Sequence, residues 1–297
     1  MICPVCESGN TYLWQNISQN ANILHIRKCS SCSSLFQFPA VKNEEILYQK
    51  EYYEGGTDYI YYDERKSYDA SKIVYLSRLK TIRKYKKFGR FLDVGCSFGG
   101  FTYTSAKYFE SYGIDVSEFA VKKGAEWLKS LASQKKFKGI SKGSLTKLPL
   151  KKDFKRESFD VISMIEVAEH LKRPLNDFQA AYKLLKKDGI LIIQTANFEG
   201  WQAINEGKNY HYFLPGHFVY YTASALKKML KNIGFRKFKE FIPVDFSLWA
   251  KLRKSKKSFN SLFSYLKWIS ISYYHIKSYF RKKGRPLTSS YVLYAFK

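Results

Sequence analysis

The sequence predicts an α/β protein built on an open, mostly parallel sheet, with a small metal-stapled module ahead of it. Three observations carry that prediction. Short apolar runs bounded by Gly, Asp or Ser alternate with amphipathic stretches between residues 89 and 245, the pattern of buried parallel strands in βαβ units. A glycine-rich turn follows the first of these runs. Two Cys-x-x-Cys pairs lie inside residues 1–40.

The first segment, residues 1–40, sets Cys3 and Cys6 apart from Cys29 and Cys32 by 22 residues. Each pair can turn two sulfurs toward one point, and four thiolates match a zinc ribbon. Metal binding would staple a segment too small to fold alone. Four thiolates leave no open position, so the expected role is structural. The flanking Thr11-Tyr12-Leu13-Trp14 and Leu35-Phe36-Gln37-Phe38 suit small strands.

Residues 41–88 are polar and rich in tyrosine, with Ile73, Leu76, Leu79 and Ile82 at helical spacing. They read as a helical linker or cap. Between 89 and 245 the strand candidates are Phe91–Val94, Tyr112–Asp115, Phe159–Ile162 and Ile190–Ile193. Helices are expected from Phe101 to Phe109, along the face Phe178, Ala181, Tyr182, Leu185, and along Leu226, Leu230, Ile233, stopped by Gly234.

The last segment is a basic insert. From Phe246 to Pro286 there are eleven Lys or Arg and no Asp or Glu. Within it Phe259, Leu262, Leu266, Ile269, Tyr273, Ile276 and Phe280 recur at spacings of three and four, one stripe of a helix. Three readings stay open: a membrane-surface helix, an RNA-binding surface, and an ordinary helix packed over the sheet. Tyr291–Phe296 then reads as a final strand.

Composition narrows the setting. The chain has 297 residues, 45% of them hydrophobic, and a formal charge of +26. That length and apolar content support a real core, and the charge favours polyanionic partners: nucleic acid, anionic lipid or phosphorylated substrates. Met1-Ile2-Cys3-Pro4 offers neither the basic start nor the apolar run of a secretory signal. The paired cysteines therefore point to a reducing cytoplasm, with peripheral contact at the inner membrane face as the further expectation.

The chemistry concentrates at Asp93-Val94-Gly95-Cys96-Ser97-Phe98-Gly99-Gly100. Gly95 and Gly99 at a strand-to-helix turn permit positive φ and a close approach of ligand to backbone. Asp115 ends the next strand, where a carboxylate can accept hydrogen bonds from the two ribose hydroxyls of an adenosine. The glycine spacing is Gly-x-x-x-Gly-Gly, not the Gly-x-Gly-x-x-Gly of dinucleotide binders. With Gly113-Ile114-Asp115-Val116-Ser117, Ser158–Ile162, Glu166-Val167-Ala168-Glu169-His170-Leu171 and Leu185–Leu191 following in order, the chain closely resembles class I S-adenosylmethionine-dependent methyltransferases. The Cys pairs, Leu35–Pro39, Glu44–Leu47 and Tyr52-Tyr53 extend the resemblance to bacterial-type members with an N-terminal zinc ribbon, common among enzymes that decorate cell-surface glycans.

The resemblance implies a Rossmann-like seven-stranded sheet over residues 89–297, interrupted by the insert at about 246–286. It implies that Asp93, Gly95, Cys96 and Gly99 surround the amino-acid end of S-adenosylmethionine and that Asp115 meets the ribose. Val116 and Ser144 would flank the adenine, and Glu166 would line the same site. Ser97 stands where many relatives have glycine, and Ser144 where an acid is common. Tyr61 and Tyr62 are candidates to close over the cofactor. For a base, His217 in Leu214-Pro215-Gly216-His217-Phe218 is preferred, with His170 second; Asp93 and His170 could equally hold local backbone.

The implied acceptor is a glycan, nucleotide-sugar or lipid-linked small molecule. An RNA methyltransferase is the first alternative, favoured by charge. Against it, the segment after the fourth strand reads Met164-Ile165-Glu166-Val167 and lacks an Asn-Pro-Pro-Tyr-like signature. A non-catalytic scaffold is the second.

Overall fold

The computed structural model describes residues 1–19, 22–40, 48, 50–54, 63–148, 154–256 and 259–297. The stretch Glu44–Leu47, Tyr61, Tyr62 and Lys257 fall outside the described residues.

An antiparallel hairpin opens the chain, β1 (Thr11–Gln19) against β2 (Asn22–Cys29), followed by β3 (Leu35–Gln37). After helices α1 (Lys50–Glu54) and α2 (Tyr68–Ile82) the large sheet begins. Its parallel members are β4 (Arg90–Val94), β5 (Glu110–Asp115), β6 (Phe137–Lys142), β7 (Phe159–Ile165) and β8 (Leu185–Ala196). Helices α3 (Gly100–Ser105), α4 (Glu118–Lys129) and α5 (Pro174–Leu184) connect them. Then come α6 (Trp201–Glu206), β9 (Val219–Tyr220), α7 (Ala223–Ile233) and β10 (Lys237–Phe241). Helices α8 (Leu248–Lys256) and α9 (Leu266–Lys277), a short hairpin of β11 (Arg281–Lys282) and β12 (Arg285–Pro286), and β13 (Ser290–Phe296) complete the chain.

The large sheet has seven strands in the order β10-β13-β8-β7-β4-β5-β6. β13 enters antiparallel between β8 and β10, so the Rossmann-like, seven-stranded expectation holds. The chain runs outward from β4 through β5 to β6, then returns to the other side of β4 with β7. The switch point therefore lies between β4 and β7, where open α/β sheets bind ligands at the carboxyl ends of their strands.

Alternation along each strand loads both faces. Leu92, Ile162, Leu191 and Leu293 pack with Phe178 of α5 and Leu226 and Leu230 of α7. Phe91, Val161, Ile190 and Val292 pack on the opposite face with Leu79 and Ile82 of α2. All are fully buried, each stabilising the fold by about 1.5–3 kcal/mol relative to exposure.

Three local features differ from the periodicity. The helix expected from Phe101 to Phe109 ends at Ser105. The Thr104 and Ser105 hydroxyls bond the Gly100 and Thr102 carbonyls at 2.8 and 2.7 Å, competition that shortens helices. The stripe from Phe259 to Phe280 is not one helix: a 3-10 turn over Leu262–Tyr265 precedes α9. Leu185, placed on the α5 face by periodicity, begins β8. The cysteine segment is also stitched to the rest, because β3 pairs with β9 through Leu35↔Tyr220 and Phe36↔Val219.

Candidate functional site

The glycine turn closes β4. Gly95 and Gly99 hold φ of 69° and 87°, and a Cβ on Gly95 would lie 2.4 Å from Val167 Cγ2. Conformation and space both exclude a side chain there. The amides of Gly95 and Cys96 donate to the Ile114 carbonyl at 2.8 and 3.1 Å, lashing the turn to β5. Ser97 also sits in the left-handed region, at φ 50°, which accounts for glycine being suited to this position. Cys96 is buried, and burial pushes its thiol well above the usual range; it packs against the turn as a neutral side chain.

Asp115 ends β5 beside this turn. Its Oδ2 accepts from the Ser97 amide and its Oδ1 from the Ser117 amide, both at 2.8 Å. Each oxygen keeps further acceptor capacity, and Asp115 lines the main cavity. Burial raises its pKa, opposed chiefly by those two amides. Asp93 has another role in the architecture. Its oxygens accept from Thr102 Oγ1 at 2.8 Å and Ser163 Oγ at 2.7 Å, so it clamps α3 and β7 to the turn. Burial pushes its pKa up to about 6.

The cavity at the switch point measures about 880 Å³, within the range of small-molecule and cofactor sites. Asp93, Gly95, Cys96, Asp115, Val116 and Ser144 all line it, whereas Gly99 supports the turn from behind, packed near Leu128 and Ile140. Glu166, Glu169, His170 and His217 line the same cavity. Carboxylates on its wall and a glycine cradle at its base suit a cationic, amino-acid-bearing nucleoside.

A compact proton network forms beyond β7. The Tyr212 hydroxyl lies between Glu169 Oε1, at 2.7 Å, and Glu166 Oε2, at closer range. One hydroxyl hydrogen cannot serve both carboxylates. Desolvation within the cleft, reinforced by the Glu169 charge, pushes the Glu166 pKa up to about 8 even though its side chain faces the open cavity, and burial also raises Glu169. The pair therefore holds a proton at neutral pH. Glu166 stands at φ 55°, open to the cleft, and Gln194 Nε2 donates to its Oε1 at 2.5 Å. Glu169 Oε2 is buried with no hydrogen-bond partner among the described residues.

Two histidines face this network, 4.7 Å apart between ring centroids. His217 Nδ1 lies 2.8 Å from the Tyr212 carbonyl, and His170 Nδ1 lies 2.8 Å from the Gly216 carbonyl and 2.7 Å from Tyr48 Oη. A carbonyl only accepts, so each Nδ1 carries the hydrogen and each Nε2 is the basic atom of the neutral ring. His217 is buried, and burial, with the His170 imidazole beside it, holds its pKa well below the usual histidine range. It is neutral at physiological pH. Glu169, His170 and His217 each offer a donor atom within 4.8 Å of the others, a set whose chemistry could also hold a divalent cation.

Glu64, Tyr48 and Tyr212 carry no motif signal in the sequence, and Glu169 carries one only within Glu166–Leu171. Glu64 is buried and accepts from the Gly100 amide at 3.2 Å and from Tyr75 Oη at 2.7 Å. Burial pushes its pKa up to about 7. In sequence it sits in Asp63-Glu64-Arg65-Lys66, which reads as a solvated run.

At the N-terminus, Cys3 and Cys32 have sulfurs 3.7 Å apart and Cys6 and Cys29 3.5 Å apart. All four lie within 4.8 Å of one another and none is in a disulfide. Tetrahedral zinc with bonds of about 2.3 Å places its sulfurs about 3.8 Å apart, so the residues present fit that ion.

Residues 63–240 match the family described as a methyltransferase domain. An uncharacterised protein of Methanocaldococcus jannaschii is 28% identical over 179 residues, covering 59% of this chain and 78% of its own. A ubiquinone biosynthesis O-methyltransferase of Histophilus somni is 39% identical over 56 residues, 18% of this chain and 24% of the relative. Among solved structures, a phosphoethanolamine N-methyltransferase 2 of Haemonchus contortus, bound to phosphomonomethylethanolamine and S-adenosylhomocysteine, superposes with a TM-score of 0.57 at 14% identity, covering 95% of this chain and 71% of that one. The chain belongs to the methyltransferase-domain family. It is an enzyme, a class I S-adenosylmethionine-dependent methyltransferase.

Proposed function

We propose that this methyltransferase acts on an oxygen or nitrogen of a glycan, nucleotide-sugar or lipid-linked small molecule, with His217 as the base and His170 as its orienting neighbour. The observation that carries the reading is the neutral, buried His217, whose Nε2 is the basic atom, on the wall of the cavity that Asp115 and the glycine turn also line.

S-adenosylmethionine, when bound, supplies a methyl group already activated on a sulfonium. The chain's own work is to position and to move one proton. The turn at Gly95, Cys96 and Gly99, clamped by Asp93, would hold the amino-acid end of the cofactor, Asp115 the ribose, and Val116 and Ser144 the adenine, with Glu166 beside them. His217 Nε2 takes the proton that the acceptor gives up. The hydrogen bond from His217 Nδ1 to the Tyr212 carbonyl fixes the tautomer that makes this possible. Tyr212, between Glu166 and Glu169, ties that carbonyl to the carboxylate pair.

We further propose a structural zinc at Cys3, Cys6, Cys29 and Cys32, and a division into a zinc-ribbon module (1–40), a helical cap (41–88) and the catalytic domain (89–297). The setting is the cytoplasm, at the inner face of a membrane. Labelled methyl transfer from S-adenosylmethionine to four fractions of a host cell tests the acceptor class: glycan, nucleotide-sugar, lipid extract and RNA. The expected outcome is label in one of the first three, lost in His217→Ala. Label confined to RNA would overturn the acceptor assignment.

A further inference from the structure

The stripe in the basic insert is on the outside of the molecule. Leu262 is 86% exposed, Phe263 80%, Leu266 60%, Ile269 65%, Tyr273 65% and Phe280 60%. An ordinary helix packed over the sheet would bury these side chains. Here the opposite face of α9 does the packing: Tyr274 Oη bonds Ser290 Oγ at 3.1 Å, Trp268 Nε1 donates to Ser255 Oγ at 3.0 Å, and His275 is buried. These six large apolar side chains, five on α9 and its preceding turn and Phe280 just beyond the helix, form a patch that a soluble surface rarely leaves open.

The charge around the patch has one sign. Lys267 and Lys277 lie on α9, and Arg281, Lys282, Lys283 and Arg285 follow it in the β11–β12 hairpin; none makes an ion pair with a carboxylate of the described residues. We propose that this face docks on an anionic lipid bilayer, with the aliphatic and aromatic side chains seated at the acyl boundary and the cations among the headgroups. A second copy of the chain is disfavoured as occupant, since it would bring an equally cationic ring against this one. RNA is disfavoured because the exposed aromatics Phe263, Tyr273 and Phe280 are interleaved with aliphatic Leu262, Leu266 and Ile269, a mixed apolar surface that suits acyl chains better than a row of stacked bases.

The inference rests on the methyltransferase reading and extends it to the acceptor. On the inner face of α9, Tyr274 shares a pocket of about 70 Å³ with Glu166, Tyr212 and Ser290. Glu166 and Tyr212 also belong to the proton network of the main cavity. The docking helix thus lies against the same group of residues that handle the acceptor, which suits a substrate anchored in lipid with its reacting group raised from the surface.

Co-sedimentation with vesicles of phosphatidylglycerol and phosphatidylcholine, against vesicles of phosphatidylcholine alone, tests this with the full chain. The expected result is binding to the anionic vesicles only, weakened by salt and about tenfold or more weaker in Leu266→Glu/Ile269→Glu. Both positions are exposed, so the variant folds, and calorimetric binding of S-adenosylmethionine by the same sample should be unchanged. That control separates failure of the docking surface from failure of the cofactor site. No binding to anionic vesicles at low salt would overturn the proposal. So would vesicle binding untouched by the double substitution, or a dimer in sedimentation that the substitution dissolves. Tighter binding to a single-stranded RNA than to vesicles, lost in the same variant, would overturn it in favour of RNA.

Discussion

At His217, three local facts combine: burial removes the charge, the Tyr212 carbonyl fixes the tautomer, and the cavity wall presents the ring. The general-base role proposed for His217 would contribute about 10²–10⁴-fold. His217→Ala should lower labelled methyl transfer by that order while leaving calorimetric affinity for S-adenosylmethionine within about twofold, because His217 is not assigned a cofactor contact. Much of the site's wall was legible residue by residue, since Gly95, Asp115 and the Glu166–His170 motif carry their chemistry in spacing. Tyr212 was not singled out. Its importance comes from reaching two carboxylates more than forty positions upstream in the chain, and nothing local marks a tyrosine for that.

Individual elements meet the site through buried polar joints. Glu64 joins the turn before α2 to the N-terminus of α3 through the Gly100 amide. Its folded pKa, about 7, stands above the ordinary 4.5, so the folded state holds the proton more tightly. Its contribution is fully present below about pH 4.5 and is lost as pH rises through about 7. Glu64→Gln should flatten the pH dependence of stability across that window, by an amount on the order of 1–3 kcal/mol, in urea titrations. Arg78 of α2 pairs with Asp245 at 2.8 Å, both side chains almost wholly buried, and Tyr294 of β13 donates to the same carboxylate at 2.6 Å. Asp245→Ala leaves the buried guanidinium without its counter-charge, with Gln194 Oε1 as a remaining acceptor, and should cost about 3–5 kcal/mol in the same assay. The central strands were legible because their apolar runs are buried on both faces. The edge strands β6 and β10 were not singled out: Phe137-Lys138-Gly139-Ile140-Ser141-Lys142 and Lys237-Phe238-Lys239-Glu240-Phe241 alternate charge with half-buried side chains, as exposed edges do.

Over the whole molecule, the N-terminal cysteines are connected to the cavity wall that carries His217. β3 pairs with β9, and the Gln37 amide donates to the Phe218 carbonyl at 2.9 Å, one residue beyond His217. Zinc at the four thiolates would hold that edge. Cys29→Ser, or chelation, should remove the metal by elemental analysis, lower the Tm, and reduce methyl transfer more than cofactor affinity. The basic insert shows the limit of a one-dimensional reading: periodicity found the stripe, but only its place outside the sheet decides between packing and docking. No helix of the described residues is long and apolar enough to cross a membrane.

We propose that the glycine turn and Asp115 form the cofactor site. Calorimetric titration of the zinc-loaded protein with S-adenosylmethionine, repeated on Asp115→Ala, tests it most directly. Loss of a charge-assisted pair of hydrogen bonds predicts affinity reduced by about tenfold or more, with the wild type binding one equivalent. Wild-type binding that Asp115→Ala leaves unchanged, or a wild type that binds no S-adenosylmethionine at all, would contradict it.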